Sequence, residues 1–194
     1  MQTSFSTRPT QQSSWEKRAA RGFATMRDLS DACLVCAATL MAWPDPARVP
    51  PSGWHEWLVT HEARLADRLL AAATAAIRGS RDVTAVALLE ACRARALATP
   101  RVHTQATYHL GSALKRLGRL AEARARLDDL IDSGSVSLLE PPLQAAANFH
   151  AGELALAAGE AGRAARHLAA CVAILPGHAR AQARLHDVRA SLAA

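Results

Sequence analysis

Four constellations in this 194-residue sequence bring together residue types that can do chemistry. Cys33-x-x-Cys36 has the spacing of half a zinc site, with His55 and His61 downstream. Zinc needs four convergent ligands, and both the gap to His55 and the spacing of the two histidines depart from a finger pattern. Histidines six apart do not share a helical face. The cysteines lie in the apolar run DACLVCAATLMAW, where thiols pack as small hydrophobic groups. Asp128, Asp129 and Asp132 could suggest acid–base work, but adjacent Asp128 and Asp129 point in different directions on a helix and read as a charged terminus. Arg180 and Arg184, four apart, share a helix face and could grip a carboxylate through parallel hydrogen bonds. A solvated surface helix would carry the same pair. Finally, Tyr108-His109 and Phe149-His150 repeat an aromatic–histidine pair. Displayed in a groove, such a pair marks a binding hot spot; turned inward, its ring simply packs between helices.

Signatures of catalysis are missing. The sequence has no glycine-rich phosphate loop followed by lysine, no nucleophile elbow and no histidine-rich metal helix. The expectation is a non-enzyme with no catalytic residue, no metal and no cofactor.

The elements that position these residues are helical. The chain is 50% hydrophobic but only 4% aromatic, so alanine and leucine supply most of the packing. Both favour helix, and small residues let helix axes approach closely. Strand-forming residues are sparse and do not alternate. Ser52 is placed to cap a long helix ending near Gly79, and Asp82 to cap a second that runs to about Leu97, with Pro100 closing it. Further helices are expected over Thr104–Leu117, Ala121–Asp132, Leu143–Ala158, Gly162–Leu175 and Ala179–Leu192. Upstream, Ser30 or Asp28 can cap a helix to about Ala42, before Pro44, Pro46, Pro50 and Pro51 enforce an extended loop.

Self-similarity follows. Gly111, Gly118, Ala123 and Leu127 recur as Gly152, Gly159, Ala164 and Leu168, each 41 residues on. One helix pair cannot bury its apolar face alone, and stacking neighbours solves that. At these residues the chain resembles the tetratricopeptide repeat family, whose unit has about 34 residues. The string LGSALKRLGRLAEARARL carries the likeness best. The second unit adds Cys171 at a small buried place and Pro176 near its end, and a weaker unit over about Ala66–Thr99 places Ala85 and Cys92 likewise. The spacing exceeds 34 through an insertion around Ser135–Pro142, and most of the family's aromatic places are replaced, by Thr107, Leu114, Leu120, Asn148, Ala155 and Ala161.

The resemblance implies an all-α, right-handed α-solenoid of about three such helix pairs with an N-terminal helical cap. It also implies a concave face, lined by the first helix of each pair, that holds a partner segment. The groove residues it implies are Tyr108, His109, Ser112, Lys115 and Arg116 in one unit and Phe149, His150 and Glu153 in the next, with Arg180 and Arg184 from the last helix. Gln105, Ala146, Leu156 and Ala157 fall on the same face. Some family members clamp a peptide carboxylate with basic residues at the places of Arg180 and Arg184, but Tyr108, Ser112 and His150 replace the helping Lys and Asn residues, so the clamp is partial.

The formal charge is +6. Residues 1–30 carry five positive and two negative side chains, so half the excess sits in the first sixth of the chain. Three regions are expected: a disordered basic arm over 1–27, a helical cap and Pro-rich loop over 28–59, and a repeat domain over 60–194. The functional expectation is a non-catalytic adaptor or assembly chaperone binding another protein. The alternatives are nucleic-acid association through Arg8, Lys17, Arg18, Arg21 and Arg27, and a structural subunit docking through its N-terminal helix. Ala32–Trp43 is too short to span a membrane; as a signal-peptide core it follows an unusually long polar stretch and lacks a clean cleavage site, although a start at Met26 would favour that reading, so the expected location is cytoplasmic.

Overall fold

A computed structural model of the protein describes residues 54–95 and 99–193, the side chains of 54–59 and 61 excepted. The expected arm over 1–27, and the expected cap and Pro-rich loop over 28–59 as far as residue 53, lie outside the described residues, Cys33, Cys36, Trp15 and Trp43 among them. All regular structure among the described residues is helical. It comprises α1 (Trp54–Arg78), α2 (Asp82–Arg93), α3 (Pro100–Arg116), α4 (Leu120–Asp132), a 3-10 helix (Ser135–Leu138), α5 (Pro141–Ala157), α6 (Ala161–Ile174) and α7 (Ala179–Ala193). Helices α1/α2, α3/α4 and α5/α6 pack as sequential pairs, and α7 closes the stack against α6. This is the expected all-α solenoid of helix pairs.

All three pairs share one device, and the second and third share another. The first is the turn. Ser80, Gly118 and Gly159 have φ of 55°, 74° and 77°, the left-handed region that ends a helix. The following amide then donates back across that turn: Arg81 to the Ala76 carbonyl, Arg119 to Leu114 and Glu160 to Ala155, all at 2.9 Å. The second is a close approach between the helices. A Cβ built on Gly111 would lie 2.8 Å from Leu127 Cγ, and one on Gly152 would lie 2.9 Å from Leu168 Cγ. Both leucines are fully buried. In these two pairs only glycine leaves room for the leucine, which is why glycine and leucine recur together there.

Pro100 overturns one expectation. It opens α3 instead of closing α2: it sits at the first helical position, where its missing N–H costs nothing, and the Thr99 side chain accepts a hydrogen bond from the Val102 amide at 3.3 Å. Helix α3 therefore starts four residues earlier than periodicity predicts. Pro141 likewise stands in the first turn of α5, there without a side-chain cap. The insertion between them folds as the 3-10 helix. Gly134 at φ 72° turns the chain into it, Leu139 is buried beneath it, and the Gln144 side chain ties it down by donating to the Leu139 carbonyl at 2.7 Å.

The core is divided. Most of it runs through α1–α4 and one side of α5, where Ala147, Ala151 and Leu154 join it. A smaller cluster holds Ala145 and Phe149 from the other side of α5, Leu168 and Cys171 from α6, and Ala181, Leu185 and Val188 from α7. Helix α5 is thus apolar on two sides because it is walled in on both. Cys92 and Cys171 are buried thiols, and Cys92 donates to the Ala66 carbonyl at 3.3 Å. On the second-helix side, Arg163 of α6 reaches back to Asp128 of α4 at 2.9 Å, and Arg124 of α4 reaches forward to Glu160 at 2.6 Å. Asp128 and Asp132 serve there as ion-pair partners between units.

Candidate partner-binding face

The first helices α1, α3 and α5 stand side by side, and the start of α7 meets α5 through His178 on Phe149 and Arg180 on Glu153. Helical spacing puts every third or fourth residue of each on the shared face. Thr74, Ser112 and Glu153 are in register on it, and all three are half-buried.

A polar knot links three of these helices. Lys115 on α3 pairs with Glu153 on α5, and its Nζ lies 3.1 Å from His150 Nδ1. The other oxygen of Glu153 accepts from Arg180 of α7 at 2.8 Å. Glu153 therefore holds two cations, one from each neighbouring unit. Burial disfavours its charge, but the hydrogen bond from Lys115 and the charges of Lys115 and Arg180 more than offset that, so its pKa falls below the ordinary carboxylate value. His150 beside it is driven down to about 4, first by burial and then by Lys115, so its imidazole is neutral at physiological pH. His109 is lowered as well, by burial and by Arg116.

The aromatic–histidine pairs turn inward at their rings. Tyr108 is 7% exposed and Phe149 5%, so both are packing residues with at most an edge on the face. Their histidines stay half-buried at the rim. His150 stacks over Tyr108 with ring centroids 6.5 Å apart, which continues the contact from one unit to the next. Arg180 lies over the Phe149 ring, 5.2 Å from its centroid.

Arg116 is not part of the knot. It is exposed at the end of α3 and pairs with Asp82 at the start of α2. Arg184 is exposed one turn beyond Arg180, and no ion pair joins it to another described residue. The two arginines thus differ: Arg180 is held by Glu153, and Arg184 is exposed with no ion pair to a described residue. Ser112, half-buried at mid-face, borders the knot without entering it.

Sequence reasoning missed two contributors. The His178 ring lies tilted against Phe149 with centroids 4.8 Å apart, and its Nδ1 accepts from the Ala181 amide at 3.1 Å, capping α7. Its place just before a helix start was the available signal. The other is α1, whose half-buried Leu70, Thr74 and Ile77 extend the face. Their register with α3 was readable once Ala85 had been matched to Ala123. Among the described residues, no group of three or more His, Cys, Asp or Glu side chains is arranged to hold a metal ion. No helix there is long and apolar enough to cross a membrane.

No protein-family profile matches the chain, and no curated protein matches it in sequence. Its likeness to known proteins lies in the fold. The chain is similar in structure to the type III secretion chaperone SycD of Yersinia enterocolitica, solved in complex with a peptide of the translocator YopD. The match has a TM-score of 0.50 at 17% identity and covers 64% of this chain and 92% of that one. The described helices thus have the tetratricopeptide-like helical-repeat fold, the architecture on which that chaperone is built.

Proposed function

We propose that the protein is a non-catalytic adaptor of the assembly-chaperone kind, holding a segment of a partner protein along the face lined by α1, α3, α5 and the start of α7. One observation carries this reading. Successive first helices present a strip of half-buried, mostly small or apolar side chains beside a fixed row of charge. Leu70, Thr74 and Ile77 lie on α1 and Ala146 and Leu156 on α5, next to the Lys115–Glu153–Arg180 row. An extended or helical segment can bury apolar side chains on such a strip while its polar groups meet the knot. SycD, which shares the fold, was crystallised with a peptide of another protein, and this supports the capacity of the architecture to hold one. We place the protein in the cytoplasm, where such chaperoning of an unassembled partner would take place. Nucleic acid is the less favoured partner. Arg95, Arg116, Arg119, Arg124, Arg163 and Arg180 are tied up in ion pairs and do not form an open basic stripe.

The test is photo-crosslinking from Ser112, with exposed Ala125 on α4 as the control site, in native lysate treated with nuclease. A partner should link from Ser112 and not from Ala125. Its yield should fall about tenfold in the His150→Ala/Arg180→Ala/Arg184→Ala variant, the loss expected for removing one hot spot of about 1.4 kcal/mol. Linking only from Ala125, or full capture by the triple variant, would overturn the groove reading. Disappearance of the partner on nuclease treatment would move the assignment to nucleic acid.

A further inference from the structure

The insertion between the second and third helix pairs serves neither the repeat nor the partner-binding face. Folded as the 3-10 helix, it packs against α3 and α4 and closes one side of a cavity of about 400 Å³ with Ser135 and Leu138. The end of α2 and the start of α3 form the other sides. The cavity lies at the opposite end of the helix pairs from their left-handed turns. His103, on its rim, is roughly 18 Å along α3 from Lys115, so the cavity is separate from the polar knot.

Its lining is cationic and unbalanced. Arg93 and Arg95 enter it from α2 and the residues just beyond, and no carboxylate lines it among the described residues. Residues 96–98 are Ala, Leu and Ala and bring no charged side chain. Arg93 makes no ion pair or hydrogen bond with a described residue, and its Nε is enclosed by protein without an acceptor. The terminal nitrogens are therefore the donors left to it. Asp129 and Glu90 act on Arg93 from beyond ion-pair distance, while burial and then Arg126 hold its pKa below the ordinary guanidinium value. Arg95 has an enclosed Nε as well and gives one terminal nitrogen to Glu62 at 3.5 Å. That is longer than the about 2.7–2.9 Å of a firm charge-assisted bond. At His103, partial burial and then the charge of Arg93 lower the pKa. Thr104 spends its hydroxyl on the Pro100 carbonyl at 2.7 Å, so both serve as wall. The Ser135 hydroxyl, 2.9 Å from that of Ser133, adds a further donor.

We propose that this cavity binds a phosphate group, as the free ion or carried on a small molecule. A guanidinium fork matches two oxygens of a phosphate, and Arg95, His103 and Ser135 have donors for the others. The Arg93 cation and a His103 that takes up a proton together balance the charge of nearly −2 on a phosphomonoester. A lone carboxylate would leave one of those charges unmatched. The volume favours the ester over the free ion, because it falls within the about 300–1,000 Å³ of small-molecule sites. Binding there would tie α2 and α3 to the insertion, which gives the insertion a role that helix pairing does not require.

Isothermal titration of the full chain in phosphate-free, low-salt buffer tests this, with inorganic phosphate and glycerol 3-phosphate as probes. Saturable binding of one probe molecule per chain is expected, weakened about tenfold or more by Arg93→Gln. Arg166→Gln, exposed on α6, should leave the affinity within about twofold. Tighter binding of the ester would assign the site to a phosphorylated small molecule, and equal affinities to the free ion. No saturation by either probe up to about 10 mM, or full affinity in Arg93→Gln, would overturn the inference. The unsubstituted protein gives a second reading. Followed by NMR across pH, the His103 imidazole should show a pKa raised by glycerol 3-phosphate, since a bound anion favours imidazolium. A His103 unmoved by the ester would overturn the inference even where Arg93→Gln fails to fold.

Discussion

The second and third helix pairs are closed in the same way but sit in unequal surroundings. Gly111 meets Leu127 and Gly152 meets Leu168 with distances that agree within 0.1 Å, and both turns pass through a left-handed glycine. Leu127 lies inside the larger core, with α1–α4 and α5 around it. Leu168 belongs to the small cluster that only α5, α6 and α7 enclose. The same local chemistry should therefore be worth different amounts. In a solenoid each unit leans on its neighbours, and an end unit can open locally at a lower cost than global unfolding.

Truncating the two leucines tests this most directly. Leu127→Ala should cost about 3–5 kcal/mol and Leu168→Ala about 2–3 kcal/mol, because local opening of α6 and α7 limits the loss at the second site. Urea denaturation followed by circular dichroism measures both, and equal costs would break the comparison. Next come the glycines beneath them. Gly111→Ala and Gly152→Ala each push a Cβ into a buried leucine and should cost about 1–3 kcal/mol, with the smaller value at Gly152, where the surroundings can give.

Acid should act through the knot between the two units. His150 titrates at about 4 in the folded protein against an ordinary 6.5, so between those values the unfolded chain binds a proton that the folded chain refuses. Its contribution to stability is present above about pH 6.5 and is lost as pH falls toward 4, on the order of 1–3 kcal/mol. Denaturation midpoints measured across pH 4–7 should flatten in His150→Gln. A slope unchanged by that substitution would leave the acid response to His103, His109 and His167, which are also lowered.

The smallest effects belong to the turns. Gly118 and Gly159 have open space around them, so alanine there suffers only from the positive φ, about 1 kcal/mol at each. In the first unit the same turn is made by Ser80 at φ 55°, and there Ser80→Gly should stabilise by up to about 1 kcal/mol. A destabilised Ser80→Gly variant would show that the serine side chain offsets its own strain.

This last contrast shows where the sequence was legible. Where glycine met both geometric demands, at the close approach and the turn, the repeat could be read directly from spacing. In the first unit Ala73 and Ser80 occupy those places, so the signature faded although the same helix pair forms. The start of α3 was misread for a comparable reason. A proline ends one helix or begins the next with equal local logic, and the cap from Thr99 decides. Among the candidate site residues, Lys115, His150, Glu153 and Arg180 were named from the resemblance to the repeat family, but their joining into one knot was not readable, since each lies on a different turn or helix.

The sequence by itself determined that the chain is helical, that its helices pair, and which residues share a face, because these follow from propensity, period and the few places where only glycine fits. Tertiary structure alone decided which ring turned inward, which arginine was held and which was left open, and that Glu153 would bind a cation from either side. Those outcomes depend on contacts between units dozens of residues apart, and local patterning carries no record of them.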